Sequence, residues 1–521
     1  MDAVDELPIP IARSRDEASP RTRSGVGRPW QELSQTGQNC CAKAEAADGC
    51  LFIDGADYFS ALEQALRLAR KSVLIIGWDF DGRIRLRPEA PEEDSPALGV
   101  LLRQIVEANP ELEVRILIWS ISVLHAPGSS QELIFGAEWQ NHPRICIRLA
   151  TDHPVYAAHH QKIVAIDDSL AFIGGIDLTI DRWDTQAHRP DDPLRATPDG
   201  EQYPPVHDMQ LAVSGEPAGI LASVARERWY GTTKEKLPSP EHGRLWPDGW
   251  TTEFSNIPVA VARTMPGIGH RDPVHEGAWQ LRDILRSARR SIYIEAQYMT
   301  AFSIGKILAR RLCEKDGPEI VVIMSHEAHG FMERWIMQTN RDRLIRYLRK
   351  ADRYGRLRVL YPCVPNGDGW TDIFVHAKLV IADDRILRIG SSNLNNRSIG
   401  LDSECDVMLE GRHPDARKAI AHVRDRLLAE HLGREIDEVS SAFERSESII
   451  ETIDALNCGD RCLKPFAALS DKGPSRPMPG TWFLDPKRPW AVISYLLPYR
   501  HTRKSFRKHK IPKKIWRARW R

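Results

Sequence analysis

The chain repeats itself, and each copy carries reactive side chains at fixed spacing. His160-Gln161-Lys162 is followed by four apolar residues, Asp167 and, further on, Gly174-Gly175-Ile176-Asp177. His376-Ala377-Lys378 is followed by four apolar residues, Asp383 and, at the same distance, Gly390-Ser391-Ser392-Asn393. The copies lie 216 residues apart (160 to 376), and Lys71-Ser72-Val73 and Arg290-Ser291-Ile292 lie 219 apart (71 to 290). Each of these upstream pairs follows a helical pattern, Tyr58–Arg70 or Trp279–Ala288, and opens a short apolar strand, Ser72–Trp78 or Ser291–Glu295. So long a period means a duplicated domain and excludes a solenoid. Helix and strand keep alternating, through Leu98–Ala108 with Val114–Trp119 and Ile304–Lys315 with Ile320–Met324. The strands are too uniformly apolar for a sheet covered on one side only. The predicted fold class is α/β, with two similar α/β lobes packed about a pseudo-twofold axis and sharing one active site.

The expected boundaries follow composition. Residues 1–45, rich in Pro, Ser, Arg and acids, read as a disordered segment. Residues 46–240 form a first lobe and 241–435 a second, joined through the Pro- and Gly-rich stretch Leu237–Asn256. Residues 436–521 form an extension with a basic tail. No run approaches the ~20 apolar residues needed to span a bilayer, and no signal-peptide core is present. A cytoplasmic protein in peripheral contact with membranes is expected, with export by a signal-independent route left open.

Lys+Arg total 72 and Asp+Glu 71, a net charge of +1, which excludes a generally basic nucleic-acid binder. The average hides a split, because Arg500–Arg521 holds eleven Lys/Arg and no acid, leaving the rest at −10. Tyr499, Phe506, Trp516 and Trp520 interleave with that charge, a pattern suited to an anionic membrane surface. Nine cysteines without paired His halves give neither a disulfide framework nor a zinc motif.

His and Lys two apart on a strand share a face. If the lobes face each other, two imidazoles and two ammonium groups converge. That set suits a phosphodiester. The lysines neutralise phosphate oxygens, one His attacks phosphorus and the other protonates the leaving alcohol. Neither metal nor cofactor is expected for this chemistry. Asp208 and Glu404, downstream of the two motifs, are candidates to accept the second ring N–H of each His. Asp167 and Asp383 stand at odd spacing from their Lys and are expected to brace the fold. The glycines are expected to let the backbone turn sharply. His153, His159, His188, His326 and His329 show no ligand spacing. Trp78 is expected to pack rather than line a cleft.

The duplicated H-x-K-x4-D pattern resembles the signature of the phospholipase D superfamily. Gly174–Leu178 with Arg182-Trp183-Asp184, His207-Asp208, Asn396-Arg397-Ser398, Ser403-Glu404 and Ile294–Tyr298 are similar to motifs of its eukaryotic-type members. The resemblance covers roughly residues 50–430. It implies catalytic His160, Lys162, Asp167, His376, Lys378 and Asp383, with His160 the nucleophile, His376 the general acid and a phosphohistidine intermediate. Asn393 would help hold the phosphate. Asp177 stands where many members have Asn; because a carboxylate facing phosphate would repel it, a turn-capping role is expected. The implied activity is hydrolysis of a glycerophospholipid, or transfer to another alcohol, by a monomer without nucleic-acid partners. The alternatives are a cardiolipin synthase-like phosphatidyltransferase and a nuclease.

Overall fold

The computed structural model describes residues 32–120, 136–154, 156–240, 243, 245–268, 271–327 and 331–488. The basic tail Arg500–Arg521, residues 1–31 and His329 lie outside them.

Strands of the first lobe are β1 (Ala42–Ile53), β2 (Ser72–Gly77), β3 (Glu113–Trp119), β4 (Ile145–Ala150), β5 (Ile163–Ile166), β6 (Leu170–Gly174), β7 (Val206–His207) and β8 (Met209–Ser214). The second lobe begins with β9 (Phe254–Met265), β10 (Val274–His275), β11 (Ser291–Ala296), β12 (Glu319–Met324) and β13 (Leu357–Asn366). It continues through β14 (Gly369–Asp372), β15 (Phe374–Val375), β16 (Lys378–Ala382), β17 (Ile386–Gly390) and β18 (Glu404–Glu410) to β19 (Cys462–Pro465).

Pairing in the first lobe runs β4-β3-β2-β5-β6-β8-β1. In the second it runs β13-β12-β11-β16-β17-β18-β9. The first three strands of each run are parallel and the rest antiparallel. Equivalent terminal strands β1 and β9 then pair antiparallel, with Ala44 opposite Val259, as a twofold relation requires. Topology thus reproduces the α/β duplication.

Strand alternation explains the uninterrupted apolar runs. On β2 and β5, Leu74, Ile76, Ile163 and Ala165 enter a core with helices Glu216–Thr233 and Pro414–Leu432. Val73, Ile75, Val164 and Ile166 face the opposite side, against helices Asp54–Arg67 and Leu98–Ala108. Both faces are covered, so no position can be polar.

Order starts earlier than expected. The backbone N–H groups of Leu33 and Ser34 donate to Glu410 at 3.2 and 2.8 Å, and β1 begins at Ala42. The boundary at 45 therefore falls inside a strand, whose first residues alternate between half-buried alanines and exposed charged side chains. Beyond 435, β19 extends the sheet at β13, and Asp485 accepts from Thr300 at 2.8 Å and from Arg397 N at 3.0 Å.

Candidate active site

Both motif histidines precede their strands rather than lying on them. His160 N donates to Ser403 O at 2.9 Å, and His376 N donates to His207 O at 2.7 Å. Each motif is thus held by backbone from the opposite lobe. Short parallel pairings reinforce this, β7 with β15 and His159 with Ser403.

The side chains cross over in the same way. His160 Nδ1 lies 3.0 Å from Glu404 Oε2 and 3.0 Å from Ser391 O. His376 Nδ1 lies 2.6 Å from Asp208 Oδ2. Because both neighbours of His160 Nδ1 are acceptors, the proton resides on that nitrogen, leaving Nε2 open to a substrate. His376 Nδ1 faces both the Asp208 carboxylate at 2.6 Å and the Lys378 ammonium at 3.2 Å, and the shorter contact to an acceptor favours the proton on that nitrogen here too.

Lys162 Nζ is 2.9 Å from Asp177 Oδ2, with both side chains buried. Lys378 Nζ is 3.2 Å from His376 Nδ1 and donates to Gln297 Oε1 at 3.3 Å. Asn393 Nδ2 reaches the same Gln297 oxygen at 3.3 Å, and its Oδ1 is buried without a hydrogen bond. Burial, reinforced by Lys162 and Lys378, holds His160 well below the usual imidazole range. His376 is lowered likewise by burial, Lys378 and Arg182. Burial lowers Lys378 to about 7 and raises Glu404 to about 7.

At three places the structure adds to or corrects the expectation. Asp167 and Asp383 do not join this cluster. They follow β5 and β16 at φ 50° and 56°, so the parity of an extended strand does not apply to them. Asp167 accepts the N–H groups of Arg70, Lys71 and Ser72, each at 2.7 Å. Asp383 accepts those of Arg289, Arg290 and Ser291 at 2.7, 2.6 and 3.0 Å. Both carboxylates brace strand starts.

The chain does bend at the ends of β6 and β17, at Gly175 and Ser391, but Gly174, Gly175 and Gly390 are not among the positive-φ positions. They are needed for close approach. A Cβ on Gly175 would lie 2.2 Å from Asp208 Oδ1, and one on Gly390 2.4 Å from Asp406 Oδ1. At the position matching Gly175 stands Ser391, whose Oγ donates to Glu404.

Asp177 caps as expected, accepting Trp78 N at 2.8 Å, but its other oxygen holds Lys162. The third place is His188, which is not isolated. It sits in a buried network with Asp54, His207 and Glu430.

Of the remaining side chains singled out, His159 is a buried wall residue, bonded to Ser403 Oγ at 2.7 Å and 2.6 Å from Arg228. His153 packs edge-on against it. His326 stacks on Tyr361 and bonds Asp372 at 2.6 Å. Trp78 is half-buried, 5.8 Å from the ring of Trp119. Gln297 and Ser391 were not singled out from sequence. Gln297 was within reach, because it lies in the Ile294–Tyr298 stretch that carries the resemblance.

Comparison with known proteins agrees with this arrangement. A family profile described as "Cardiolipin synthase, PLD-like domain" matches residues 281–428. Phospholipase D1 of Saccharomyces cerevisiae is 26% identical over 82% of this chain and 31% of its own length. Phospholipase D2 of Bos taurus is 24% identical over 69% of this chain and 49% of its own. The chain thus spans about a third to a half of the length of these relatives. A solved phosphatidylserine synthase from Haemophilus influenzae superposes with a TM-score of 0.51 at 12% identity, covering 79% of this chain and 96% of that one, which speaks for the fold. With two copies of the signature crossed into one site and relatives matching over most of its length, the chain belongs to the phospholipase D superfamily, among members of the eukaryotic type.

Proposed function

We propose that the protein is a phospholipase D-type phosphodiesterase acting on glycerophospholipids. The observation that carries this reading is the crossed pairing of His160 with Glu404 and His376 with Asp208, which leaves both ring Nε2 atoms uncommitted in a site that also holds two buried lysines, Lys162 and Lys378. His160 Nε2 attacks phosphorus, and the bond from phosphorus to the head-group oxygen breaks. That oxygen takes a proton from His376. Water or an alcohol then gives a proton to His376 and attacks the phosphohistidine, releasing His160 and phosphatidate or a new phosphatidyl ester. Lys162, Lys378 and Asn393 hold the phosphate oxygens. The imidazoles are kept unprotonated by burial and then by the lysines, and the negative charge of the phosphate offsets the lysine part, so substrate binding itself favours the protonated general acid. The assignment of His160 as nucleophile follows the order of the motifs and its greater exposure, 17% of the side chain against 8% for His376.

Because one chain supplies both halves of the site, a monomer suffices. Among the described residues no helix is long and apolar enough to cross a membrane. Membrane contact is assigned to the basic tail Arg500–Arg521 on its sequence. Deleting it should weaken flotation with anionic liposomes, and unchanged flotation would refute that role.

The test of the activity is a lipid panel containing ethanol. Phosphatidate, phosphatidylethanol and free head group are expected from phosphatidylcholine or phosphatidylethanolamine, and none from His160→Asn or His376→Asn. Cardiolipin formed from phosphatidylglycerol instead would favour a phosphatidyltransferase.

A further inference from the structure

Behind the active site lies a second constellation. Asp54, His188, His207 and Glu430 are all buried and come from four separate segments. Asp54 begins the helix Asp54–Arg67, His188 lies in a loop, His207 ends β7, and Glu430 lies on the helix Pro414–Leu432 after the second lobe's sheet. His207 Nδ1 is 2.9 Å from Asp54 Oδ1 and 2.9 Å from Glu430 Oε1. His188 Nε2 is 3.1 Å from Glu430 Oε1 and 3.3 Å from Asp54 Oδ2.

The distances are short, yet several of these atoms make no hydrogen bond. Asp54 Oδ2, His207 Nδ1 and Glu430 Oε2 are buried and unbonded. Among the four side chains only His188 Nε2 and Glu430 Oε1 share a hydrogen bond; the other atoms, this close without pointing at one another, point at a common centre. Buried polar atoms are otherwise almost always paired, so orphans at one spot call for an occupant.

The far sides of the two imidazoles support the same reading. His188 Nδ1 lies 2.8 Å from Asp184 Oδ2, and His207 Nε2 lies 2.8 Å from Glu295 Oε2. A carboxylate on the outer nitrogen is the usual partner of a metal-bound histidine. It fixes the ring and directs the inner lone pair at the ion. Asp184 is itself held by Arg195 at 3.0 Å, and Glu295 by His431 at 3.1 Å. Arg461 is the nearest further cation, 3.6 Å from Glu430.

We infer that Asp54, His188, His207 and Glu430 bind one divalent transition-metal ion, with Zn2+ the ion best suited to this donor set. Two imidazoles and two carboxylates make a tetrahedral set. With metal–ligand distances of about 2.0–2.2 Å, donors in such a set stand about 3.3–3.5 Å apart, so the cage need open only by a few tenths of an ångström. All four positions come from the protein and no side chain is exposed, so the site is structural and does not present the ion to substrate.

Its position gives it a task. Asp54 N donates to Asp208 O at 2.8 Å, and Asp208 is the residue after His207. The ion therefore fixes the carboxylate that orients His376, while Glu430 ties this point to the helix that closes the second lobe.

The decisive measurement is metal content of the full chain, purified without a histidine tag. One zinc per chain is expected by elemental analysis. Removal with 1,10-phenanthroline should lower the melting temperature, and added Zn2+ should restore it. Replacement by Co2+ should give the intense visible bands of a tetrahedral nitrogen–oxygen site. His188→Gln should bind less than a tenth of the wild-type metal, while His326→Gln keeps it. If His188→Gln does not fold, the Co2+ spectrum of the wild type decides alone. Folded wild-type protein that carries no transition metal and shows no Co2+ bands would overturn the inference, leaving protons on His188 and His207 to balance the carboxylates. The lipid assay of the preceding section is independent of this outcome.

Discussion

His160 in the first lobe and Glu404 in the second are joined by a 3.0 Å hydrogen bond, so the carboxylate beside each motif imidazole belongs to the other half of the duplication. Asp208 and His376 repeat the bond in reverse at 2.6 Å. Glu404 and Asp208 act through the imidazoles, as positioning residues. Glu404→Gln and Asp208→Asn should each lower kcat by roughly 10²–10⁴-fold, the scale of losing general acid–base assistance, and leave KM within a few-fold. Steady-state kinetics on a short-chain phosphatidylcholine reads this split. A rise in KM with kcat intact would mean that these carboxylates bind substrate instead.

Glu404 also gives the stability a pH signature. Its folded value, raised by burial to about 7, lies above its unfolded value of 4.5. The folded state therefore keeps a proton that the unfolded chain releases. That contribution is complete below pH 4.5 and disappears as pH rises through about 7. Its full size is on the order of 3 kcal/mol. Glu404→Gln lacks this titration, so its melting temperature relative to wild type should rise between pH 4.5 and pH 8.5. A constant difference across that range would contradict the assignment.

Gly175 tests the packing around Asp208. The Cβ of Gly175→Ala would press on the Asp208 carboxylate from 2.2 Å and push it off His376. The expected cost is about 1–3 kcal/mol of stability, with most of the activity lost. Ser391→Gly at the matching position removes one hydroxyl donor to Glu404 and should cost less than tenfold in kcat. Equal tolerance at both positions would count against the close-approach explanation.

At Asp177 one carboxylate serves two partners, Trp78 N and Lys162. Asp177→Asn keeps an oxygen for the backbone and loses the ion pair, whereas Asp177→Ala loses both. Thermal unfolding should rank wild type above Asn and Asn above Ala. The Ala variant should lose about 3–5 kcal/mol, as when one partner of a buried pair is removed.

Asp167→Ala and Asp383→Ala each strand three backbone donors at the start of a strand. Stability should fall by about 2–4 kcal/mol in each. Turnover per folded molecule should stay within a few-fold of wild type, measured on the soluble fraction at low temperature. A complete loss of turnover in well-folded protein would return these residues to the chemistry.

Much of this was legible in the sequence because duplication carries its own alignment. The spacing from His160 to Asp177 matches that from His376 to Asn393, and the apolar runs of β2, β5, β11 and β16 sit where both sheet faces are covered. What the pattern could not hold was relative orientation. Nothing local says that Glu404 serves His160 rather than His376, since that depends on how two lobes face. Asp167 braces the fold, but strand parity is not the reason, because one left-handed residue cancels the alternation of a strand. The bend at Gly175 is local, but the demand for glycine comes from a carboxylate 33 residues further along, between Gly175 and Asp208. His188 was set aside because its three companions come from segments with no shared spacing.

Two copies of a motif normally provide a spare, so that damage to one is tolerated while the other works. The crossed bonds remove that safety. On the proposed mechanism, a lesion in either copy disables the proton relay of the other and leaves no half-active form for selection to retain. Both repeats must therefore diverge in step, each correcting for the other, even though more than two hundred residues separate them in the gene product (160 to 376).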